Sequence, residues 1–546
     1  MTSLINALDS FTPKQLGENA HLEYGWSLDL QESITQLFFQ LVRSDDYTNV
    51  SRKFQDLLIK SKSSKNNLYF ITLCKIVVQT RDLEGGKGEY RLAWNLLQVL
   101  DKIKEYQIVQ KIIYYLVYNL PIQENSKDAD HPFGSWKDIK YLWSEFTWSK
   151  ETSIYMIKLV NTAVKQDYEL LLDNKKPKTL VGKWVPRESS KFKKMFKALA
   201  LDYFSEYLNT TCENKNSFLL AKKKCYSNYR KIISALNKSL LTVQINQCGG
   251  TWNEIDYDKN VTSITLSKQC YAFRNKTKKM EQRSEEEDRI LAGKKFEDWL
   301  NNKIANKETI KGKRVGLIDL VNKAFNININ SDYESLINQL NMQWEDAGKN
   351  LKSLENMIAC VDVSGSMMGN PMSAAIGLGI RVSEKSKLGR RILTFSANPE
   401  WLVLPEPDSD GKTNFVNDVK IIKQAHWGMN TNFTAMLKLI LDASVQKKLS
   451  SEEVSQMTLA VFSDMQIDYG NNEQLTDSMW EHIERLYKTA GYDKVPHILF
   501  WNLRSTSGFP VLSSQKNVSM FSGFSPVLLN LFCEKGIDFL NNATPW

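Results

Sequence analysis

The hydrophobic period of the chain changes near residue 355, and no single type of element satisfies both sides of that change. Before it, Leu28, Leu30, Ile34, Leu37, Phe38 and Leu41 recur at helical spacing, as do Phe54, Leu57 and Leu58, then Leu68, Phe70, Ile71, Cys74 and Val77. Spacings of three and four residues gather such side chains into one stripe of a helix. Further runs of this kind cover about 91–103, 107–119, 151–172, 190–208, 226–243 and 331–343. Turn-forming residues separate them, among them Gly85-Gly86, Pro121, His131-Pro132-Phe133-Gly134, Lys176-Pro177, Pro186 and Gly249-Gly250. After residue 355 the apolar runs are short and unbroken: Met357–Asp362, Arg391–Phe395, Trp401–Leu404, Met457–Phe462 and His497–Trp501. Helical stretches at about 371–386, 433–447, 475–490 and 525–534 alternate with them. Strands that are apolar on both faces need cover on both faces, which is the condition of a mainly parallel, doubly wound sheet. The expectation is therefore a multidomain protein: an all-α helical-repeat module over 1–350, an irregular solenoid without a repeat consensus, and an α/β doubly wound domain over 351–546. The boundary is expected between 345 and 356.

Composition narrows the class. The 14 Trp, 21 Tyr and 24 Phe supply more than one large core and exclude a disordered chain. No run approaches the ~18 uninterrupted apolar residues of a membrane span, and the first ten residues lack the basic and then apolar pattern of a secretory signal. Seven cysteines, none in a Cys-x-x-Cys pair, argue against a disulfide framework and a zinc finger. These features give the expectation of a soluble, cytoplasmic protein with no membrane partner. Positive charge is uneven: residues 1–350 hold 53 Lys/Arg against 42 Asp/Glu, and residues 351–546 hold 18 against 20. Such an excess suits a polyanion-binding face, and it equally suits a solvated lysine surface.

Asp362-Val363-Ser364-Gly365-Ser366 follows the first expected strand directly. A carboxylate and two hydroxyls leaving a buried strand on a tight loop stand where open α/β sheets bind ligands. They are hard oxygen donors, suited to Mg²⁺ foremost, or to Mn²⁺ or Ca²⁺, and poorly suited to zinc or copper. One loop cannot complete six-fold coordination. Thr431, in the loop before the helix at 433 and preferred over Thr434 inside that helix, and Asp464, at the end of the fourth strand, are the expected further ligands. The same loop also fits an ordinary Asp/Ser turn capping the following helix.

Asp-x-Ser-x-Ser, a Thr about 65 residues on and an Asp about 100 on resemble the metal-ion-dependent adhesion site of von Willebrand factor A domains. That resemblance implies a site with one position left for a partner's carboxylate, and so a metal-bridged docking module with an acidic protein partner. Other chemistries fail on composition. An aspartyl-phosphate phosphatase would need an acid where Ser364 stands, and a Gly-x-Ser-x-Gly elbow is absent. The five histidines (21, 131, 426, 482 and 497) make no metal-ligand pair at i, i+4.

Arg81-Asp82-Leu83-Glu84-Gly85-Gly86-Lys87-Gly88-Glu89 lacks the Ser/Thr that a phosphate loop needs after its Lys, and reads as a glycine-rich turn between helices. With Gly134-Ser135-Trp136-Lys137-Asp138-Ile139 it resembles the helical-repeat module of TROVE proteins, the Ro autoantigen family. Gly182–Glu188, Tyr229-Arg230-Lys231, Trp252–Tyr257, Phe500–Leu503 and Met520–Pro526 resemble the domain of unknown function 2828 family of plants and large DNA viruses. The resemblance runs from about residue 75 to the C-terminus.

In Ro proteins a ring of helical repeats holds small structured RNAs on a basic face. The resemblance thus implies RNA on the basic segments here. One is Lys175–Lys197, nine Lys/Arg against one acid, including Lys193 and Lys194. The others are Lys222, Lys223 and Lys224 with Arg230 and Lys231, and Arg274, Lys276 and Lys278 beside Tyr271 and Phe273. The cations would neutralise phosphates and the rings would stack on unpaired bases. The leading expectation is a non-enzymatic RNA-binding or ribonucleoprotein scaffold whose metal site docks a protein. The alternative is a protein–protein adaptor or virion structural component without an RNA role.

Overall fold

A computed structural model describes residues 12–17, 22–64, 67–119, 131–211, 215–328, 331–425, 427–428, 431–466 and 479–535. The chain divides into two compact units, one of residues 93–301 and one that joins 1–92 to 302–544. The unit containing the sheet is therefore larger than 351–546.

Its centre is a six-stranded sheet formed by β3 (Met357–Asp362), β4 (Arg391–Phe395), β5 (Glu400–Val403), β6 (Thr458–Ser463), β7 (His497–Asn502) and β8 (Val518–Ser522). A small antiparallel pair, β1 (Lys14–Leu16) and β2 (Leu22–Tyr24), precedes them. The strand order is β5-β4-β3-β6-β7-β8. All neighbours are parallel except β5, which runs antiparallel to β4 at the edge. Counted from Met357 this is the 3-2-1-4-5-6 order of a doubly wound, Rossmann-like sheet, whose switch point lies between β3 and β6. Every residue of β3 and of β8 is buried, as expected for strands covered on both faces.

Several elements lie outside the expectations from sequence, among them β1 and β2 within the region expected to be all-α, the helices Glu287–Ala305, Leu317–Asn326 and Phe415–Gln424, and the strand β8. The sixth strand, β8, interrupts its apolar residues with serines, and the helix Phe415–Gln424 buries the stripe Phe415, Val416, Val419 and Ile422. The helices expected at 371–386 and 433–447 are found at Asn370–Lys385 and Phe433–Gln446. Part of the one expected at 475–490 lies outside the described residues, and its described part is Met479–Thr489. The helix Asn370–Lys385 presses directly onto β3, because a Cβ at Gly379 would stand 2.6 Å from Val361 Cγ2.

Residues from both flanks of the sequence complete this core. The helix Leu30–Gln40 lies against β8, with Phe38 and Phe521 edge to face at 6.4 Å. Phe39 and Tyr24 join the same buried cluster as Cys360, Val461 and Phe500. Asn502 Nδ2 donates to Phe39 O (3.2 Å), and Tyr24 exchanges backbone hydrogen bonds with Phe509 (2.9 Å each way). On the other flank, Trp344 from helix Glu334–Gly348 stacks on Phe415 at 3.9 Å, and its indole N–H donates to Glu384 (2.8 Å).

The glycine-rich turn at 85–88 also belongs here. Lys87 is buried, and its Nζ donates to Phe38 O (2.6 Å), Leu41 O (2.9 Å) and the Ser522 hydroxyl. It ties the end of the helix Leu30–Gln40 to the end of β8, in the way that a cation satisfies the last carbonyls of a helix. A Cβ at Gly86 would stand 1.9 Å from Gln79 O, so only glycine permits this turn.

In the 93–301 unit, helices Trp136–Glu145, Lys150–Leu172, Lys193–Tyr203 and Lys215–Ser239 pack on one another. Asp101 accepts from Ser149 N (2.7 Å) and the Ser149 hydroxyl (2.8 Å), and the Thr152 hydroxyl also donates to it. The segment 182–188 meets the helix Lys215–Ser239: Asn237 Nδ2 donates to Gly182 O (2.7 Å), and Arg230 pairs with Glu188 (2.8 Å). Among the described residues no helix is long and apolar enough to cross a membrane.

Candidate functional site

The loop after β3 carries Asp362, Ser364 and Ser366. Parallel pairing of β3 with β6 sets Val361 opposite Phe462, so Asp362 and Ser463 leave the sheet side by side at its carboxyl edge. The Ser463 hydroxyl donates to Asp362 Oδ2 (2.6 Å), and Ser364 N donates to Asp362 Oδ1 (2.9 Å). The Ser364 and Ser366 hydroxyls lie 3.1 Å apart, and Ser366 also hydrogen-bonds to the Asp464 carboxylate. On the other side of β3, Asp362 pairs with Phe395 of β4. The Thr431 loop is tied to the residue after that: Asn432 N donates to Ser396 O (2.8 Å), and Gly428 N to the Ser396 hydroxyl (3.1 Å). The three loops thus attach to the carboxyl ends of three adjacent strands around the switch point.

Asp362, Ser364, Thr431 and Asp464 are all buried. Burial pushes the Asp362 carboxyl up to about 7, and neighbouring Asp464 adds to the rise, against hydrogen bonds from Ser463 and Ser364. Burial likewise raises Asp464, opposed by its bonds to Gln466 N and Ser366 and by Arg504. Asp464 Oδ2 is buried with no hydrogen-bond partner, and Arg504 Nη1 stands 3.6 Å from it. Arg504 Nη1 also donates to Ser366 O (3.2 Å), while half of its side chain stays exposed. Two dehydrated carboxylates, hydroxyls aimed among them and one carboxylate oxygen without a hydrogen-bond donor are the donor set a hard divalent cation requires. Among the described residues no three His, Cys, Asp or Glu side chains gather for a metal, so any cation held here takes much of its coordination from hydroxyls.

Thr434 lies inside the helix Phe433–Gln446 with its hydroxyl 3.3 Å from His482 Nε2, while His426 lies outside the described residues. His482 is buried against Arg485, and His497 faces the Ser519 hydroxyl at 3.0 Å; both are held by structural partners. Sequence reasoning missed Ser463 and Arg504. A serine at a strand end and an arginine 138 residues from Ser366 carry no local signal.

The basic residues fall into two groups. On the helix Lys215–Ser239 the stripe Ala221, Cys225, Tyr229 and Leu236 is buried. Lys223, Lys224, Arg230 and Lys231 are exposed on the other side, Lys222 is half-buried with its ammonium 4.2 Å from the Phe218 ring centroid, and Lys193 and Lys194 are exposed. The 274–278 segment behaves differently. Arg274 is buried, paired to Glu297 (2.9 Å), and lies over Phe296 at 4.8 Å, so its charge is spent inside the protein. Phe273 is likewise buried in a ring cluster with Tyr257 and Phe296, while Lys276 is half-buried and Lys278 is exposed. The compact units also redraw the charge map. Residues 93–301 hold 35 Lys/Arg against 25 Asp/Glu, and the rest of the chain holds 36 against 37.

The class defined by this geometry is an open, doubly wound α/β sheet with a cluster of hard oxygen donors at its switch point, joined in one chain to a basic helical unit. Residues 356–543 match the profile of a family described as Domain of unknown function (DUF7788). Over 478 residues the chain is 27% identical to the uncharacterized protein L728 of Acanthamoeba polyphaga mimivirus, a match covering 83% of this chain and 75% of that protein.

Proposed function

We propose that this protein is a non-enzymatic RNA-binding scaffold: its basic helical unit, TROVE-like, holds RNA, and its sheet, a von Willebrand factor A-like domain, docks an acidic side chain of a protein partner through a divalent cation. The observation that carries the reading is the buried Asp464 Oδ2, without a hydrogen-bond donor and with Arg504 at 3.6 Å as its ionic partner, beside Asp362, Ser364 and Ser366 at the switch point. Asp362, Ser364, Ser366, Thr431 and Asp464 would hold the cation, Mg²⁺ foremost, which supplies an open coordination position for a partner carboxylate. The chain's own residues do the rest. Ser463 and Ser364 N orient Asp362, Ser366 orients Asp464, and Met368, 80% exposed two residues beyond Ser366, offers an apolar contact beside the site. The concentration of net positive charge in residues 93–301 supports the RNA half of the reading.

The test takes the full-length chain. Mg²⁺ or Mn²⁺ raises its melting temperature relative to chelator, and Asp362→Ala with Ser364→Ala removes that rise. Binding to a small structured RNA weakens linearly on a log–log plot against salt, with a slope of ~0.9 per neutralised phosphate. A melting temperature indifferent to divalent cations overturns the docking half, and no RNA binding at low salt overturns the other.

A further inference from the structure

Within the 93–301 unit, lysines and half-buried rings of the basic segment 175–197 gather with Lys137, Lys140 and Tyr141 of the helix Trp136–Glu145. Lys140 Nζ stands 4.8 Å from the ring centroid of Trp184, 5.0 Å from that of Phe192 and 5.2 Å from that of Tyr141. Lys191 lies 4.7 Å from Phe192 and 5.7 Å from Tyr141, Lys137 lies 5.6 Å from Tyr141, and Lys183 lies 6.0 Å from Trp184. The rings come from three segments: the helix Trp136–Glu145, the short helix Val181–Trp184, and the residue before the helix Lys193–Tyr203. Tyr141 and Phe192 meet edge to face at 5.1 Å, so the rings hold each other while each stays partly open to solvent.

Charge at this place is mainly positive, although the acid Glu145 meets one of these lysines. Burial holds the Lys140 ammonium below the usual lysine range, and Lys137 and Lys191 depress it further, with no acid opposing them. Of the acids near these elements, Glu145 pairs with Lys191 itself (3.5 Å), whereas Glu188 pairs with Arg230 (2.8 Å) and Asp138 is buried against Trp94 and Ser135. Residues 151–250 as a whole carry 18 Lys/Arg against 8 Asp/Glu.

We propose that Tyr141, Trp184 and Phe192 with Lys137, Lys140 and Lys191 form a platform for unpaired RNA, an inference that rests on the RNA-binding reading and names its site. Lysines whose ammonium groups lie over partly open rings can meet both parts of a nucleotide at once. An arriving base takes the place of the ammonium groups over the Trp184 and Phe192 rings, and the displaced ammonium groups take the phosphate that follows it. A duplex hides its base faces in the stack and offers only phosphates to such a surface, so the platform selects single strands. An acidic peptide would use the lysines but leave the rings without a function.

The experiment measures binding of the full-length chain by fluorescence anisotropy. The probes are a 12-residue uridine RNA, a duplex RNA of the same length and a polyglutamate peptide. The single strand is expected to bind most tightly at matched salt. Lys140→Gln with Lys191→Gln lowers the slope of log affinity against log salt by ~1.4, at ~0.7 per lost contact on a single strand. Trp184→Ala weakens binding about ten-fold with the slope kept, and Trp184→Phe, which keeps a ring, restores most of it. A melting curve for each variant separates this from unfolding. Equal binding of polyglutamate and uridine RNA overturns the platform. So does a wild-type affinity in these variants beside a loss in Lys222→Gln with Lys223→Gln, which leaves the RNA-binding reading standing. A wild-type chain that binds no RNA overturns both.

Discussion

Asp362 and Asp464 are held dehydrated at the ends of neighbouring strands, and this costs the protein stability whenever no cation is present. Replacing either by asparagine keeps the shape and removes the charge. Asp464→Asn is therefore expected to melt at or above the wild-type temperature in chelator and to lose the Mg²⁺-dependent rise. A variant still stabilised by Mg²⁺ would show that Asp464 is not a ligand. The sign of the pH effect follows from the same burial. Asp362 rises from 3.8 to about 7, so between those values the folded chain keeps a proton that the unfolded chain releases. Stability without cation is then highest below pH ~4 and falls as pH rises towards 7. Urea titrations in chelator should show Asp362→Asn gaining on the wild type across that window, and added Mg²⁺ should close the gap. At this scale Asp362, Ser364 and Ser366 were legible because one loop holds all three. Ser463 and Arg504 were not, since strand pairing alone brings them in. Arg274 illustrates the opposite failure: in sequence it is one of a run of cations, and burial against Glu297 and Phe296 removes it from the surface.

Among the elements, β3, β4, β6 and β7 read as short apolar runs because burial on both faces leaves an unbroken hydrophobic signature, whereas the apolar run of β5 leaves Trp401 and Val403 exposed at the sheet edge. β8 escaped because Val518-Ser519-Met520-Phe521-Ser522 alternates with serines, whose hydroxyls are satisfied only in the fold: Ser519 faces His497, and Ser522 donates to Phe38 O (2.7 Å). The turn around Lys87 likewise reads as a loop, although Lys87 closes the end of the helix Leu30–Gln40. Lys87→Met would leave Leu41 O short of a donor and remove one of the donors to Phe38 O, which keeps Ser522, at a cost of about 1–3 kcal/mol in urea unfolding. Burial holds Lys87 well below the usual lysine value of 10.5, so below that value the unfolded chain takes up a proton that the folded chain resists. The advantage of the wild type over Lys87→Met should accordingly grow as pH rises towards 10.5. A constant gap across pH would mean that Lys87 is equally charged in both states.

At the scale of the molecule, the sheet's core draws on residues from far outside 351–546. Phe39 is fully buried among strand residues, and Phe39→Ala is expected to cost about 3–5 kcal/mol of the sheet unit's stability. A fragment of 351–546 alone, deprived of Tyr24, Phe38 and Phe39, should melt without a cooperative transition. If it unfolds cooperatively at the midpoint of the full chain, the flanking segments are not part of its core.

Sequence alone determined the properties that depend on near neighbours along the chain: the helical period before residue 355, the apolar strands after it, and the oxygen-donor loop at Asp362. Tertiary structure decided what depends on distant partners. It joined 1–92 and 302–350 to the sheet, aligned β6 with β3 so that Ser463 and Asp464 met Asp362, and buried Arg274 while leaving Lys140 among open rings. The reason is physical: periodicity reports which face of an element is apolar, whereas which other element covers that face is set by packing between segments hundreds of residues apart.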